Sequence, residues 1–274
     1  MVVLVFGIPL LLTFWMSVND WPLFGKAAFN GVENYRDIAA NELFRDAVVF
    51  TVKYTVVMTV IYLVVALGLG LLVQNQRRGV GIFRTAFLLP AAVGLSSAAL
   101  LFYSLYNNEF GPLAPLFRML GMVEGDPNFL GTPSHAFWST VAMVTWRFAG
   151  FNMMIMLVGL QSIPLDVYEA ARMDGAGWFK QLSHITLPLL RPTIILILVL
   201  SVTSSMLSFE PFYIMTAGGP NNSTVTVVMA SFREAFSLFD LGTATAMAVV
   251  LLVILVVVNL LQMYVLSPRK DKTP

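Results

Sequence analysis

The sequence predicts an all-α, polytopic membrane protein with six transmembrane helices, and three observations predict it. The 274 residues are 58% hydrophobic and 11% charged, where a soluble domain carries about 25% charged residues. Apolar stretches recur along the chain, each near the ~20 residues that a helix needs to cross roughly 30 Å of hydrocarbon. Basic residues gather in every second loop, which marks the cytoplasmic side of a membrane. The mean hydropathy of +0.80 agrees with this class.

The first stretch, 1–18, begins at Met1 inside an apolar run. It has neither the basic n-region nor the small-residue cleavage site of a signal peptide. The expectation is a spanning helix whose cytoplasmic tail is missing from the sequence. The second and third stretches, 47–73 and 82–106, flank a loop holding Arg77, Arg78 and Arg84. The fourth and fifth, 137–160 and 193–215, flank Arg172, Lys180 and Arg191. The sixth, 241–266, is followed by Arg269, Lys270 and Lys272. Loops 19–46, 107–136 and 216–240 carry Asp20, Glu33, Asp37, Glu42, Asp46, Glu109, Glu124, Asp126 and Asp240 with fewer bases. Both termini are therefore expected in the cytoplasm, with a single membrane domain filling 1–274. Pro9, Pro90, Gly94, Gly159 and Gly242 fall within the spans, where small residues permit close helix packing and prolines bend helices.

Several chemistries are excluded. The chain has no cysteine, so no disulfide or thiolate metal site is available. His135 and His184 are far apart in sequence, which argues against a histidine metal cluster. The only Gly-Lys pair, Gly25 and Lys26, is followed by Ala27 and not by the Ser or Thr of a phosphate loop. No nucleophile elbow, H-E-x-x-H motif or paired intramembrane carboxylates occur. The chain is expected to be no enzyme, to bind no metal or cofactor and to have no nucleic-acid partner. The glycosylation sequons at Asn221 and Asn222 read as chance matches in a Gly-Gly-Pro turn.

Charges at bilayer depth are expensive and so become functional candidates. Lys53 lies near the outer end of its span and can snorkel. Arg147 sits roughly 13 Å inside the fourth span and Glu210 roughly 8 Å inside the fifth, counted from the outer edge at the helical rise. They are placed either to pair with each other or to touch a solute. In "SVTSSMLSFE", Ser201, Ser204, Ser205 and Ser208 recur at spacings of three and four, on one helical face. Such a row either packs helices or lines a hydrated path. With Phe148, Phe151 and Asn152 in the fourth span, it offers the aromatic faces and hydrogen-bonding groups that suit a sugar.

The polar segment "YEAARMDGAGWFKQLSHITLP" (168–188) separates the fourth and fifth spans. Pro164 suits a helix start, Asp166 and Glu169 resemble a capping pair, and Gly175 suits a left-handed stop. A short helix is expected before Gly175, and a second amphipathic run over 178–184 after it. Ala170 and Ala171 leave the first helix open to close approach by another protein.

Glu169-Ala170-Ala171, Gly175, Ile185 and Leu187-Pro188, at these spacings, resemble the EAA signature of permease subunits of ATP-binding-cassette importers. "GVENYRDI" (31–38), "FRTAFLLP" (83–90) and "TAGGPNNST" (216–224) resemble the carbohydrate-uptake branch, and the last resembles the first permease of the maltose and glycerol-3-phosphate type. The resemblance implies a type I importer fold in the bacterial inner membrane, with segment 161–191 as the coupling loop. It implies a second permease, two cytoplasmic ATPase subunits holding ATP and Mg, and an external solute-binding protein, with membrane lipid around the permeases. Glu169, Ala170, Ala171, Arg172, Asp174 and Gly175 would meet the ATPase. Arg147, Phe148, Phe151, Asn152, Ser201, Ser204, Ser205, Ser208 and Glu210 would line the solute path. Where the maltose type carries amides and an aromatic in this helix the chain has serines, which argues against maltose itself. An ion-coupled transporter or channel is the competing reading, and it leaves the EAA loop without a role.

Overall fold

The computed structural model describes residues 1, 3–22, 24–75, 79–121 and 127–266. Arg77, Arg78, Glu124, Asp126, Arg269, Lys270 and Lys272, which enter the charge argument above, lie outside the described residues. A π-helical turn at Val3–Gly7 leads into α1 (Ile8–Ser17). An antiparallel ribbon of β1 (Asn19–Asp20) and β2 (Ala28–Phe29) and the helix α2 (Glu33–Ala40) follow. Next come α3 (Glu42–Val73), α4 (Val80–Ala92), α5 (Leu95–Tyr106), α6 (Leu113–Met119) and α7 (Pro133–Gln161). The intervening loop holds α8 (Leu165–Met173), α9 (Trp178–Gln181), a π-helical segment at Leu182–Thr186 and α10 (Leu187–Leu189). The chain closes with α11 (Arg191–Met206), α12 (Glu210–Met215), α13 (Val227–Phe236) and α14 (Leu241–Leu266).

Among the described residues, α3, α7 and α14 are each long and apolar enough to cross a membrane unbroken, and up to five spans result if each bent helix pair counts as one. The N-terminal helix, Leu4–Ser17, is shorter. The stretch 82–106, expected as one helix, is two: α4 ends at Ala92, Val93 is extended and α5 restarts at Leu95. Pro90 has no N–H for the helical ladder and Gly94 weakens helix propagation, so the break falls between them. The stretch 193–215 also divides. Its first helix stops at Met206, and Leu207, Ser208 and Phe209 separate α11 from α12.

The chain forms two compact units. The first joins Met1–Thr55, Leu95–Met143 and Ser204–Val257. Its interior is aromatic: Phe212 meets Phe50 and Tyr54 edge to face, with centroids 5.0 and 4.9 Å apart. Helix ends here are closed by side chains. The Asn41 side chain accepts from the Phe44 amide, Asp240 from the Thr243 amide and Thr226 from the Met229 amide, each satisfying an orphan N–H of a first turn. Thr51 accepts from the Val227 amide at 3.0 Å, tying α13 to α3. Asn34 donates to the Ser17 and Asn19 carbonyls, fixing the ribbon to α2.

The second unit joins Val56–Gly94, Val144–Thr203 and Val258–Pro274. Its core contains Ala66, Met156, Leu160, Ile163, Leu190 and Ile197, all buried. Helices approach closely through glycine. A Cβ at Gly150 would overlap the Phe87 carbonyl of α4, and one at Gly159 would overlap Thr193 of α11. The Arg84 guanidinium closes the C-terminus of α3, donating to the Val73 carbonyl at 3.0 Å from Nε and 2.6 Å from Nη2.

The Gly150 contact is with backbone, which cannot rotate away. Gly150→Ala should therefore destabilise the protein by about 1–3 kcal/mol or more, as overpacking does. Gly81→Ala, with nothing within 4 Å of the added methyl, should be tolerated. Thermal unfolding in detergent checks this, and equal melting temperatures for both variants would refute the close approach.

Candidate functional site

The loop between α7 and α11 is built from its helix stops. Pro164 occupies the N-cap of α8 in extended backbone, and it offers no side-chain acceptor. The expected capping pair of Asp166 and Glu169 therefore does not form a capping box, since that requires a side chain at the N-cap itself. Asp166 instead lies in the first turn, where a negative charge favours the helix dipole. At the other end Gly175 takes φ +76°, as expected. The Ala176 amide reaches the Ala171 carbonyl at 2.9 Å and the Gly175 amide reaches Arg172 at 3.0 Å, the two bonds of a Schellman stop.

The stop leaves α8 projecting. Glu169, Ala170, Arg172, Asp174 and Gly175 are exposed and Ala171 is half-buried. Met173, 90% exposed, and Phe179, 73% exposed, add apolar surface beside them. The second run extends beyond 178–184: α9, the π-helical segment and α10 carry it to Leu189, at 66° to α11. The π-turn is carried by the Leu187 amide, which donates five residues back to Leu182.

Sequence reasoning passed over three residues that brace this loop. Tyr168 packs against the core around Met156 and Leu190, and its hydroxyl lies 3.0 Å from that of Thr186. Thr186 donates to the Gln181 backbone carbonyl at 3.2 Å, and the Gln181 side chain donates from Nε2 to the Ala176 carbonyl at 2.7 Å. Beside this network opens a cleft of about 630 Å³, lined by Leu71, Gln74, Tyr168, Trp178, Gln181 and Thr186 among others. The sequence offers only a weak signal for Tyr168, one aromatic residue among the alanines and charges of a short helix.

Among the expected path residues, Arg147, Phe148, Phe151, Asn152 and Ser201 belong to the second unit. The Arg147 guanidinium lies over the Phe148 ring, 4.8 Å from its centroid, and its Nε is buried without a hydrogen bond. Tyr62 meets the same Phe148 edge-on at 6.1 Å. Asn152 is buried and turns its amide back to the Phe148 carbonyl at 3.1 Å. Phe151 is 47% exposed. Ser204, Ser205, Ser208 and Glu210 belong to the first unit. Ser201 and Ser205 are buried on α11 and Ser204 is exposed. Ser208 lies beyond the end of α11, so the four serines do not form one helical row. Its carbonyl accepts from Thr226 at 2.8 Å. Glu210 opens α12 and is half-buried. Lys53 is exposed with its ammonium 5.0 Å from the Phe137 ring centroid.

The turn at 216–224 is tightly bonded. Ala217, Gly218, Asn221 and Asn222 all take positive φ. Thr216 and Thr224 hydroxyls are 2.7 Å apart, and Arg233 donates to the Ala217 carbonyl at 2.8 Å and to the Asn222 side chain at 2.9 Å. Next to Arg233, burial raises the Glu234 pKa above the usual carboxylate range, and the like charge of Asp240 raises it further.

Residues 66–272 match the family described as binding-protein-dependent transport system inner membrane component. The chain is 32% identical over 272 residues to the trehalose/maltose transport system permease protein MalF of Thermococcus litoralis, covering 98% of this chain and 91% of that one. It is 31% identical over 252 residues to the sn-glycerol-3-phosphate transport system permease protein UgpA of Salmonella choleraesuis, covering 90% and 84%. Its fold superposes with a TM-score of 0.86 on a bacterial ABC transporter involved in the import of the acidic polysaccharide alginate, at 18% identity, covering 98% and 92%.

Two outcomes follow from this geometry. Gly175→Val forces a branched residue into left-handed backbone at a cost of roughly 1–2 kcal/mol, so the amides of Gly175 and Ala176 should exchange hydrogen faster; unchanged protection would refute the Schellman stop. For Glu234, a folded-state pKa raised above the unfolded value means that the folded chain binds the proton more tightly. Its contribution is greatest at acid pH and declines as pH rises from the usual Glu value through the raised one. Glu234→Gln should flatten that decline and protect α13 better at neutral pH, measured by hydrogen exchange at acid and neutral pH. Equal pH slopes in variant and wild type count against it.

Proposed function

The chain belongs to the binding-protein-dependent transport system inner membrane component family, and from that membership we propose that it is the transmembrane subunit of an ATP-driven importer, moving a sugar or polyol phosphate inward. The observation that carries this reading is the EAA segment folded as a short, exposed helix with a glycine stop. That geometry suits seating in a groove of another protein. With no phosphate loop in the sequence, ATP and Mg belong to two separate ATPase subunits. A second permease completes the path, and an external binding protein delivers the solute. The whole chain acts as one permease domain in the inner membrane, with α8 and both termini on the cytoplasmic side, as the basic loops imply.

The solute class rests on what the relatives carry: trehalose or maltose in one case and glycerol 3-phosphate in another. Arg147 supports a polar solute, because a guanidinium with a buried, unbonded Nε beside an aromatic face is a ready donor to a hydroxyl or oxyanion. Closure of the ATPase dimer moves α8, and rigid-body motion of the attached helices exposes the solute to alternate sides.

Affinity purification of the tagged chain from membranes should recover an ATPase, a second permease and a solute-binding protein. In the reconstituted complex, one of trehalose, maltose or glycerol 3-phosphate with the binding protein should stimulate ATP hydrolysis, and Glu169→Lys should remove the stimulation while the chain remains inserted. Recovery of the chain without an ATPase, or wild-type stimulation in the Glu169→Lys complex, would refute the reading.

A further inference from the structure

Only two positions of α8 are even half-buried. Tyr168 and Ala171 are half-buried, and the other seven positions of Leu165–Met173 are exposed. Ala171 offers one methyl. Tyr168 is therefore the most deeply seated large side chain of α8, with its ring against the buried cluster of Met156, Leu160 and Leu190. The two chain connections of α8 are pivots. Pro164 at one end is extended and lacks a cap, and Gly175 at the other is left-handed with nothing within 4 Å of a Cβ. On that side Leu165 and Arg172 join Tyr168 in lining a cleft of about 630 Å³ where a packed wall would otherwise stand.

The Tyr168 hydroxyl supplies the third point that two pivots lack. Thr186 has one hydroxyl proton, and it goes to the Gln181 carbonyl. Tyr168 is thus the donor in its bond to Thr186, at 3.0 Å. The relay continues through the Gln181 side chain to the Ala176 carbonyl, just past the glycine stop. The result is a closed frame, running from α8 through Ala176, Gln181 and Thr186 and back to Tyr168. Thr186 is buried at the end of the π-helical segment, one short helix away from α11. π-Helical insertions of this kind often mark functional sites.

We propose that the Tyr168 to Thr186 hydrogen bond is a latch that makes α8 and α11 move as one body, so that displacement of α8 turns α11. The inference rests on the reading of α8 as the helix seated in the ATPase. Tyr168 is a positioning residue: it touches neither solute nor nucleotide, and acts by holding α8 at a fixed angle. With the hydroxyl gone, α8 pivots on Pro164 and Gly175, and the motion dissipates in the loop.

The chain has no cysteine, so thiols introduced by Met173→Cys on α8 and Leu200→Cys on α11 are the only sites on it for paired spin labels. Both parent residues are exposed, at 90% and 40%. In the reconstituted complex with unlabelled partners, the label distance should stay narrow and unshifted when ATP is added. Tyr168→Phe keeps the ring and removes one oxygen. It should broaden the distance on ATP addition and lower several-fold the uptake per ATP hydrolysed, for whichever of trehalose, maltose and glycerol 3-phosphate the wild type carries. Thr186→Val should do the same, and Thr186→Ser, which restores the hydroxyl, should behave as wild type. A narrow, unshifted distance in Tyr168→Phe overturns the latch, as does a Thr186→Ser variant that fails like Thr186→Val. A wild-type complex whose ATP hydrolysis ignores the loaded binding protein refutes the coupling reading, and the latch falls with it.

Discussion

Hydrocarbon supplies no hydrogen bonds, so wherever this chain leaves helical geometry within or beside its apolar stretches it must bring partners for the freed backbone groups. That constraint accounts for much of the polar chemistry in an otherwise greasy sequence. The Val73 carbonyl at the end of α3 is taken by the Arg84 guanidinium. The Ser208 carbonyl, released where α11 stops, is taken by Thr226, which also caps α13. The Val227 amide is taken by Thr51 on a distant helix. Each of these residues resembles incidental polarity in the sequence, and each closes a break in the backbone ladder.

The same constraint explains what could be read in advance and what could not. Hydropathy averages over a window, so it found the apolar stretches and the polar loop, and charge placement gave them a sidedness. Averaging is blind to single-residue breaks. The stop at Val93 depends on Pro90 and Gly94, which barely change the mean over a window, and the stop at Met206 falls inside a stretch whose average stays apolar. The serine spacing was correct as arithmetic, but it presumed a helix that continues to Ser208, and the helix ends first. Capping was misread for a related reason. The spacing of Asp166 and Glu169 fits a capping box, yet the register is set by Pro164, which has no acceptor to give. Gly175, by contrast, was legible, because one residue type answers one backbone requirement.

Glycine does two unrelated jobs here, and they are not equally legible in the sequence. Gly175 is chosen for its backbone freedom, in open space where any side chain would fit but few could adopt the angle. Gly150 is chosen for its missing side chain, in a helical conformation that any residue could adopt but where the Phe87 carbonyl leaves no room. A turn context announces the first kind. The second is announced in outline by a glycine within a span, as at Gly159, but which atom it meets is set by the neighbouring helix, which sequence alone does not supply. Tyr168 was hidden in the same way: its significance lies in Thr186, eighteen residues on and across a π-turn.

The sparse anchoring of α8 separates attachment from recognition. Tyr168 and Ala171 are the positions of α8 set most deeply against the rest of the unit. On the reading proposed above, the exposed positions are the ones that meet the motor subunit, so substitutions there alter the fit to that partner while the inward pair and the two end residues keep the helix in place. Attachment and recognition then vary independently within one turn-bounded helix of nine residues.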